Sequence, residues 1–218
     1  MKLEAGLTQR CAFYDRARDA RGKANCIFNL GRVSFYRLEY SDAEARFDEA
    51  RSLYRQIGYV VGEANCLKSM GDVAIGRSSY DEARRYFDDA LRLHREVGDK
   101  LGEANAILNL GELALRLLSY DDAQTRFAEA LPLYRQVADP RGEANCLKNL
   151  AFTAFSRNDR DAAKSFFRDA LEIYQEISEL YSVGMTHQAL AQLASEVDDR
   201  NSHIIAAKTA WGQLIGMT

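Results

Sequence analysis

The sequence predicts an all-α solenoid of antiparallel helix pairs, and three observations support this fold class. The chain of 218 residues matches itself at a shift of forty residues, and a period of this length is typical of stacked helical repeats. Within each period, apolar residues recur at intervals of three and four, without the alternation that a strand requires. The period holds without a single insertion from Gly22 to the end of the fourth copy. Each repeat is therefore expected to form two helices, called A and B below.

The start of helix A is marked by four copies of one motif, which follow one another without insertion. The motif reads GKANCIFNLG from Gly22, GEANCLKSMG from Gly62, GEANAILNLG from Gly102 and GEANCLKNLA from Gly142. A fifth, more divergent copy reads SVGMTHQALA from Ser182. The spacing predicts a single array over residues 1–218, made of an unpaired B helix at 1–18, repeats at 19–58, 59–98, 99–138 and 139–178, and a degenerate repeat at 179–218.

The predicted helix starts depend on capping residues at repeated positions. Helix A is preceded in three repeats by an aspartate that can accept a hydrogen bond from a free backbone N–H: Asp19, Asp99 and Asp139. Ser79 and Glu82 have the spacing of a capping box and predict the start of a helix B, and Ser119 and Asp159 occupy the equivalent position. Pro132 lies inside a predicted helix B, where its missing N–H predicts a local bend without a break.

The last helix departs from the repeat pattern. His203 and Ala207 stand where the earlier B helices carry alanine and phenylalanine. An apolar stripe is still predicted, formed by Ile204, Ile205, Trp211, Leu214 and Ile215. This helix is therefore expected to cap the end of the array.

A set of large and small residues recurs across the A and B helices at fixed spacing. Its first copy is Leu30, Gly31, Ala43, Phe47 and Ala50, and three more copies follow at forty-residue intervals. This spacing resembles the tetratricopeptide repeat, in which small residues let the two helices of a repeat approach closely. The resemblance covers nearly the whole chain and implies a right-handed superhelical solenoid. Arrays of forty-residue repeats are similar to those of Pins/LGN adaptors and kinesin light chains, and the GEANCL motif resembles repeat arms of STAND signalling proteins.

The resemblance places helix A along a concave groove and implies a peptide-binding surface there. A carboxamide carries both a donor and an acceptor, so the recurring asparagines can pair with a peptide backbone without reading its side chains. The variable positions between them would supply specificity. The predicted groove residues are Asn25, Asn29, Arg32, Tyr36, Asn65, Lys68, Asp72, Asn105, Asn109, Glu112, Arg116, Asn145, Lys148, Asn149 and Phe152. In the alternative interpretation, the asparagines instead hydrogen-bond neighbouring helices and recur because every interface is the same.

Composition disfavours several partners. The net charge is −3 with both signs scattered along the chain, so no basic patch indicates nucleic acid or an anionic membrane. No apolar run has the length of a membrane span, and no signal peptide is evident, which predicts a cytoplasmic location. The four cysteines are spaced neither as a disulfide framework nor as a zinc site, so we expect reduced thiols, no metal and no cofactor.

No catalytic residue is predicted, and the protein is not expected to be an enzyme. Three cysteines share one repeat position that is alanine in the third copy, as a small packing residue would: Cys26, Cys66 and Cys146. His94 stands at a position that is tyrosine in other repeats, so it is expected to fill an aromatic slot. His187 and His203 lie in the degenerate repeat, where a functional pairing is disfavoured. The chain also lacks a phosphate-binding loop of the Gly-x4-Gly-Lys-Ser/Thr type.

The function expected from these patterns is that of a protein–protein interaction scaffold or adaptor, which binds an extended peptide or partner segment in its groove. The alternative is a sensory or oligomerising repeat arm of a larger signalling protein that associates with itself through its terminal helices. The two hypotheses differ in the surface that makes the contact, helix A in the first and the terminal helices in the second.

Overall fold

The computed structural model describes residues 2–214 and residue 216, with the backbone alone described for residues 2–5 and residue 8. Within this part of the chain, eleven α-helices and no strand are present. The helices are α1 Lys2–Arg16, α2 Ala20–Tyr36, α3 Tyr40–Gln56, α4 Val60–Gly76, α5 Tyr80–Glu96, α6 Lys100–Arg116, α7 Tyr120–Gln136, α8 Pro140–Ser156, α9 Arg160–Glu176, α10 Leu180–Leu193 and α11 Val197–Leu214. The even-numbered helices are the predicted A helices, and the odd-numbered helices are the B helices.

The turns between helices explain the forty-residue period. The helices α2 to α9 each contain 17 residues, and a three-residue turn completes each half-repeat of twenty. The middle residue of every such turn has a positive φ: Arg18, Leu38, Gly58, Ser78, Gly98, Leu118, Ala138, Asn158 and Ser178. This left-handed residue lets the next N–H close the helix end, as where Glu39 donates to the Ser34 carbonyl at 3.0 Å.

The predicted helix starts are largely confirmed. The side chains of Asp19, Asp99 and Asp139 each accept a hydrogen bond from the backbone N–H three residues later, at 2.8, 3.0 and 3.1 Å. Asp159 caps α9 in the same way. The capping box predicted at Ser79 and Glu82 is wrong, because Ser79 is the N-cap residue but its hydroxyl makes no capping hydrogen bond. The equivalent Ser119 likewise makes no side-chain capping hydrogen bond. Helix α7 continues through Pro132, as predicted.

Consecutive helices pack against each other in each of two compact units. The first unit extends to Leu113 and the second begins at Ala114. In the first unit, α2 packs on α1 and α3, and α4 packs on α3 and α5. In the second unit, α8 packs on α7 and α9, and α10 packs on α9 and α11. This sequential packing confirms the predicted all-α solenoid of helix pairs.

Two glycine positions in the repeat allow the helices to approach closely. A Cβ atom added to Gly71 would lie 2.4 Å from the Phe87 ring, and one added to Gly142 would lie 2.1 Å from the Tyr134 ring. The alanines and phenylalanines of the B helices are buried, as Ala83 and Phe87 show. The cysteines are free thiols, three of them buried. The small and aromatic residues of the repeat motif therefore form the core.

The apolar stripe predicted for the last helix is only partly inside. Ala207 and Ala210 are buried, and Trp211 packs against Gly184 of α10. Ile205 and Leu214 are 65% and 53% exposed, and Ile204 is also exposed, because the inward face of α11 runs through the alanines instead. Ile215 lies outside the described residues. None of the described helices is both long and apolar enough to cross a bilayer.

Candidate functional site

The A helices α2, α4 and α6 line a cavity of about 460 Å³ in the first unit, called the first groove below. Side chains from the B helices, Phe47 and His94, also contribute to its wall. Several predicted site residues lie here: Arg32, Tyr36, Asn65, Lys68, Asp72, Asn105 and Asn109. The structure therefore brings together residues from three successive repeats, as a continuous binding surface requires.

The recurring asparagines fall into two groups. Asn25 accepts a hydrogen bond from the Tyr54 hydroxyl at 2.6 Å, and Asn145 accepts one from the Tyr174 hydroxyl at 2.7 Å. These are the bonds between A and B helices that the alternative interpretation expects. Asn65 is exposed, and its carboxamide makes no hydrogen bond with any residue that the structure describes. Nδ2 of Asn109 is shielded from solvent and likewise lacks a partner among the described residues.

Asn65 lacks the bond because His94 stands in place of the tyrosine. The first groove therefore has two carboxamides, those of Asn65 and Asn109, with hydrogen-bonding capacity left for another molecule. A buried donor without a partner costs about 1–3 kcal/mol. Rotation of the Asn109 carboxamide toward the groove would let Nδ2 donate to a ligand carbonyl and would remove that cost.

The charged residues of the first groove are largely paired. Nζ of Lys68 lies 2.8 Å from Oδ2 of Asp72, one helical turn further along α4. Burial raises the pKa of Asp72, and the neighbouring Lys68 opposes this rise. Arg32 and Tyr36 are exposed on α2. The groove thus combines aromatic rings with polar groups, among them a neutralised pair on α4 and an exposed cation on α2.

A second, smaller cavity lies in the second unit and is mainly apolar. It measures about 160 Å³ and is lined by Lys148, Phe152, Phe167, Tyr181, Ser182, Met185 and Thr186. A neighbouring hollow of about 70 Å³ shares Phe152 and Phe167 and adds Phe155. We call these two hollows the second groove. Four of its aromatic and thioether side chains are exposed, from 41% at Met185 to 57% at Tyr181.

Sequence reasoning found only part of the second groove. Lys148 and Phe152 were predicted, whereas Phe155, Tyr181 and Met185 were missed. Met185 stands forty residues after Asn145, at the asparagine position of the divergent fifth copy. An alignment of the five copies therefore contains the signal, but the divergence of the fifth copy hides it.

The remaining predicted site residues lie apart from the cavity walls described above. Asn29 donates to the Asn25 carbonyl at 2.9 Å within α2. Glu112 and Arg116 are exposed on α6. Asn149 is only 7% exposed, and its backbone carbonyl accepts the Thr153 hydroxyl at 2.7 Å. Asn149 is thus much less accessible than Asn65.

His94 fills the aromatic slot, as predicted. It is 3% exposed and contacts Gly102, just as Tyr54 contacts Gly62. Nδ1 of His94 lies 2.9 Å from Oδ2 of Asp99. Burial nevertheless lowers the pKa of His94, since the carboxylate opposes this effect only in part.

His187 and His203 meet between α10 and α11. Their Nδ1 atoms lie 3.0 Å apart, and Nε2 of His203 is 3.6 Å from Oδ1 of Asp199. Burial lowers the pKa of His187, and the neighbouring His203 lowers it further. In the described part of the chain, no group of three or more His, Cys, Asp or Glu is arranged to hold a metal ion.

Comparison with known proteins gives the family and the fold. A model of the tetratricopeptide repeat matches residues 23–96, 62–136 and 102–176. No curated protein sequence matches the chain. The crystal structure of BtubC (BKLC) from P. vanneervenii is similar with a TM-score of 0.85 and 18% identity, over 98% of this chain and 91% of that one.

Rap proteins are also similar in structure. The apo form of RapI aligns with a TM-score of 0.77 and 15% identity, over 98% of this chain and 83% of that one. A Rap protein complexed with competence and sporulation factor aligns with a TM-score of 0.72 and 14% identity, over 90% of this chain and 56% of that one. At these identities the likeness concerns the fold alone.

Proposed function

Since the chain belongs to the tetratricopeptide repeat family, we propose that it is a protein–protein interaction scaffold whose A-helix face binds an extended peptide or partner segment. The observation that carries this proposal is the first groove, where Asn65 and Asn109 have hydrogen-bonding capacity that no described residue uses. The structure of a Rap protein with a similar fold was solved in complex with competence and sporulation factor. This complex supports the proposal that the present chain also binds a ligand.

The asparagines supply only part of the binding free energy. A neutral hydrogen bond contributes about 0.5–1.5 kcal/mol net, whereas ordering a flexible segment costs about 2–5 kcal/mol. Two carboxamides therefore do not suffice. Phe28, Phe35 and Tyr36 also line the first groove, and burying apolar area against them contributes about 25 cal/mol per Å². Peptides that bind should place apolar side chains beside these rings.

A selection from a display library of random short peptides tests the proposal. The bait is the whole chain, and each selected peptide is then titrated against two double variants. The first, Asn65→Ala with Asn109→Ala, removes no hydrogen bond made by either carboxamide to a described residue, so its melting temperature should change little. Its affinity for the selected peptides should fall about tenfold, since two net hydrogen bonds are lost.

The matched control is Asn25→Ala with Asn145→Ala. These carboxamides already accept tyrosine hydroxyls, so the control should lose stability while its affinity changes less. Unchanged affinity in the Asn65/Asn109 variant would contradict binding in the first groove. A library from which the wild-type chain selects nothing would contradict peptide binding altogether.

Self-association through the terminal helices is the second candidate function. Val197 and Ile205 on α11 are both 65% exposed, and Phe13 on α1 is 66% exposed. Trp211 is a poor probe of this contact because it packs inside against Gly184. If α11 mediates assembly, Ile205→Lys should reduce the mass measured by light scattering to that of one chain. A wild-type chain that is monomeric at all concentrations would rule this candidate out.

A further inference from the structure

Resting on the peptide-binding function proposed above, we infer that the second groove anchors one apolar side chain of a partner segment that carries an aspartate or glutamate next to it. The inference deepens the proposed function, since it gives the chemical class of the ligand. It follows from the chemistry of α8 and α10, and in particular from a comparison of two equivalent lysines.

Lys68 and Lys148 occupy the same repeat position, eighty residues apart. Lys68 is neutralised by Asp72, at 2.8 Å. The residue equivalent to Asp72 in α8 is Phe152, so the intrahelical partner is missing there. Lys148 makes no ion pair with any residue in the described part of the chain. An ammonium group without a counter-charge therefore stands at the edge of an apolar hollow, where a ligand carboxylate could pair with it.

The apolar hollow has the size of one side chain. An apolar cavity of about 150 Å³ holds a single benzene-sized molecule, and the hollow beside Lys148 measures about 160 Å³. Phe167 is almost fully buried and also lines the hollow, while Phe152, Tyr181 and Met185 are exposed around it. A leucine, methionine or phenylalanine side chain fits this volume. Its burial would cover apolar surface that is now exposed to water.

The wall of the hollow is held in place by the surrounding contacts. The rings of Phe152 and Phe167 make an edge-to-face contact at 5.1 Å. Thr186, which is buried, donates its hydroxyl to the Ser182 carbonyl at 2.8 Å. Met185 replaces the recurring asparagine at this position, so the backbone-pairing group of the first groove is absent here. The second groove thus favours an apolar side chain rather than a peptide backbone.

Charge reversal at Lys148 gives the sharpest test. The peptides selected by the wild-type chain are expected to be enriched in an apolar residue adjacent to aspartate or glutamate. Lys148→Glu should weaken their binding about tenfold and should select lysine or arginine at the acidic position. The matched control, Lys164→Glu, makes the same charge reversal on α9, at a residue that lines neither groove, and should leave this acidic preference unchanged.

A second variant tests the same site by a different change. Phe152→Asp recreates in α8 the Lys–Asp spacing of α4 at an exposed position, and it removes one wall of the hollow. It should abolish the enrichment for both the apolar and the acidic residue. Circular dichroism melts identify variants that retain the fold.

The outcomes separate the two proposals. Selected peptides without an apolar–acidic pair, or an acidic preference that persists in Lys148→Glu and in Phe152→Asp, would overturn the anchor site while leaving peptide binding intact. If no peptide is selected, both proposals fail. Replacing the apolar residue of a selected peptide by alanine should weaken binding about tenfold or more if that side chain is the anchor, and no weakening would also overturn it.

Discussion

The first and second grooves use the same repeat positions but differ in chemistry. In the first groove Lys68 pairs with Asp72, whereas in the second Lys148 is followed by Phe152. The asparagine position carries Asn65 in the first groove and Met185 in the second. The first groove therefore offers unused carboxamides beside aromatic rings, whereas the second offers apolar side chains beside Lys148, which has no ion-pair partner among the described residues.

The difference shows that the two grooves vary mainly at positions of helix A that do not pack the core. The glycine, alanine and phenylalanine positions that pack helices A and B hardly change between repeats, because each makes the same close contact. The outward positions of helix A are free of this constraint. They can hold aspartate in one repeat and phenylalanine in another without altering the turns or helix lengths.

Removal of a core phenylalanine should have the largest effect. Phe87 and Phe167 are 0% and 2% exposed at equivalent positions, so alanine at either site should lower the free energy of unfolding by about 3–5 kcal/mol in urea titrations. Only Phe167 also lines the second groove. Phe167→Ala should therefore shift selected peptides toward larger anchor residues, and Phe87→Ala should not. If the anchor residues of the selected peptides shift equally in both variants, the second groove is not the site that selects them.

Loss of a tyrosine–asparagine hydrogen bond should have a smaller effect on stability, and the effect should differ between the two units. Tyr54→Phe and Tyr174→Phe each remove one hydrogen bond to an asparagine carboxamide, which should cost about 1 kcal/mol. The loss should be greater for Tyr174, because Asn145 is half-buried whereas Asn25 is exposed. Thermal melts of the two variants, measured beside the wild type, check this order. A greater loss for Tyr54→Phe would show that exposure does not govern the strength of these bonds.

His94→Tyr should create opposite Asn65 the tyrosine–asparagine hydrogen bond that Tyr54 and Tyr174 make in their repeats. A tyrosine hydroxyl could donate to Asn65, which adds about 1 kcal/mol to the free energy of unfolding at neutral pH. The same change would use a carboxamide of the first groove, so the affinity for selected peptides should fall. Tighter binding by the variant would contradict a role for Asn65 in the groove.

The same variant should also reduce the pH dependence of stability. Burial lowers the pKa of His94 from the ordinary value of 6.5, so protonation favours the unfolded chain. The free energy of unfolding keeps its full value above about pH 6.5. It declines as the pH falls from there through the lower pKa of the folded state. His187 has a lowered pKa as well and keeps part of this dependence. Melting temperatures from about pH 8 to about pH 5.5 should therefore fall less steeply in His94→Tyr than in the wild type.

The turns should respond equally in both units. Leu38 and Leu118 are exposed and have φ values of 63° and 59°, a conformation that glycine adopts without strain. Glycine at either site should stabilise the protein by about 0.5–1 kcal/mol, since the relief of strain exceeds the added entropy of the unfolded chain. Gly58→Ala, with φ 69°, is the reverse control and should destabilise it. A clear difference between Leu38→Gly and Leu118→Gly would show that the turns are not equivalent.

The sequence predicted most of the fold but only part of the candidate site. Helix positions could be predicted because glycine, alanine and phenylalanine recur at fixed spacing, and each has a steric role that depends only on its neighbours in the repeat. The use of each asparagine could not be predicted, since Asn25 and Asn65 look alike until the residue opposite them is known to be Tyr54 or His94. The second groove was missed in part because Tyr181 and Met185 lie in the repeat that matches the motif least.

The side-chain amide signals of the asparagines in a ¹⁵N-labelled NMR spectrum test the central claim most directly. Titration with a selected peptide should shift the NH₂ signals of Asn65 and Asn109, while those of Asn25 and Asn145, which are bonded to tyrosines, should move less. Shifts confined to α1 and α11, with all four carboxamides unchanged, would contradict binding on the A-helix face and favour assembly through the terminal helices.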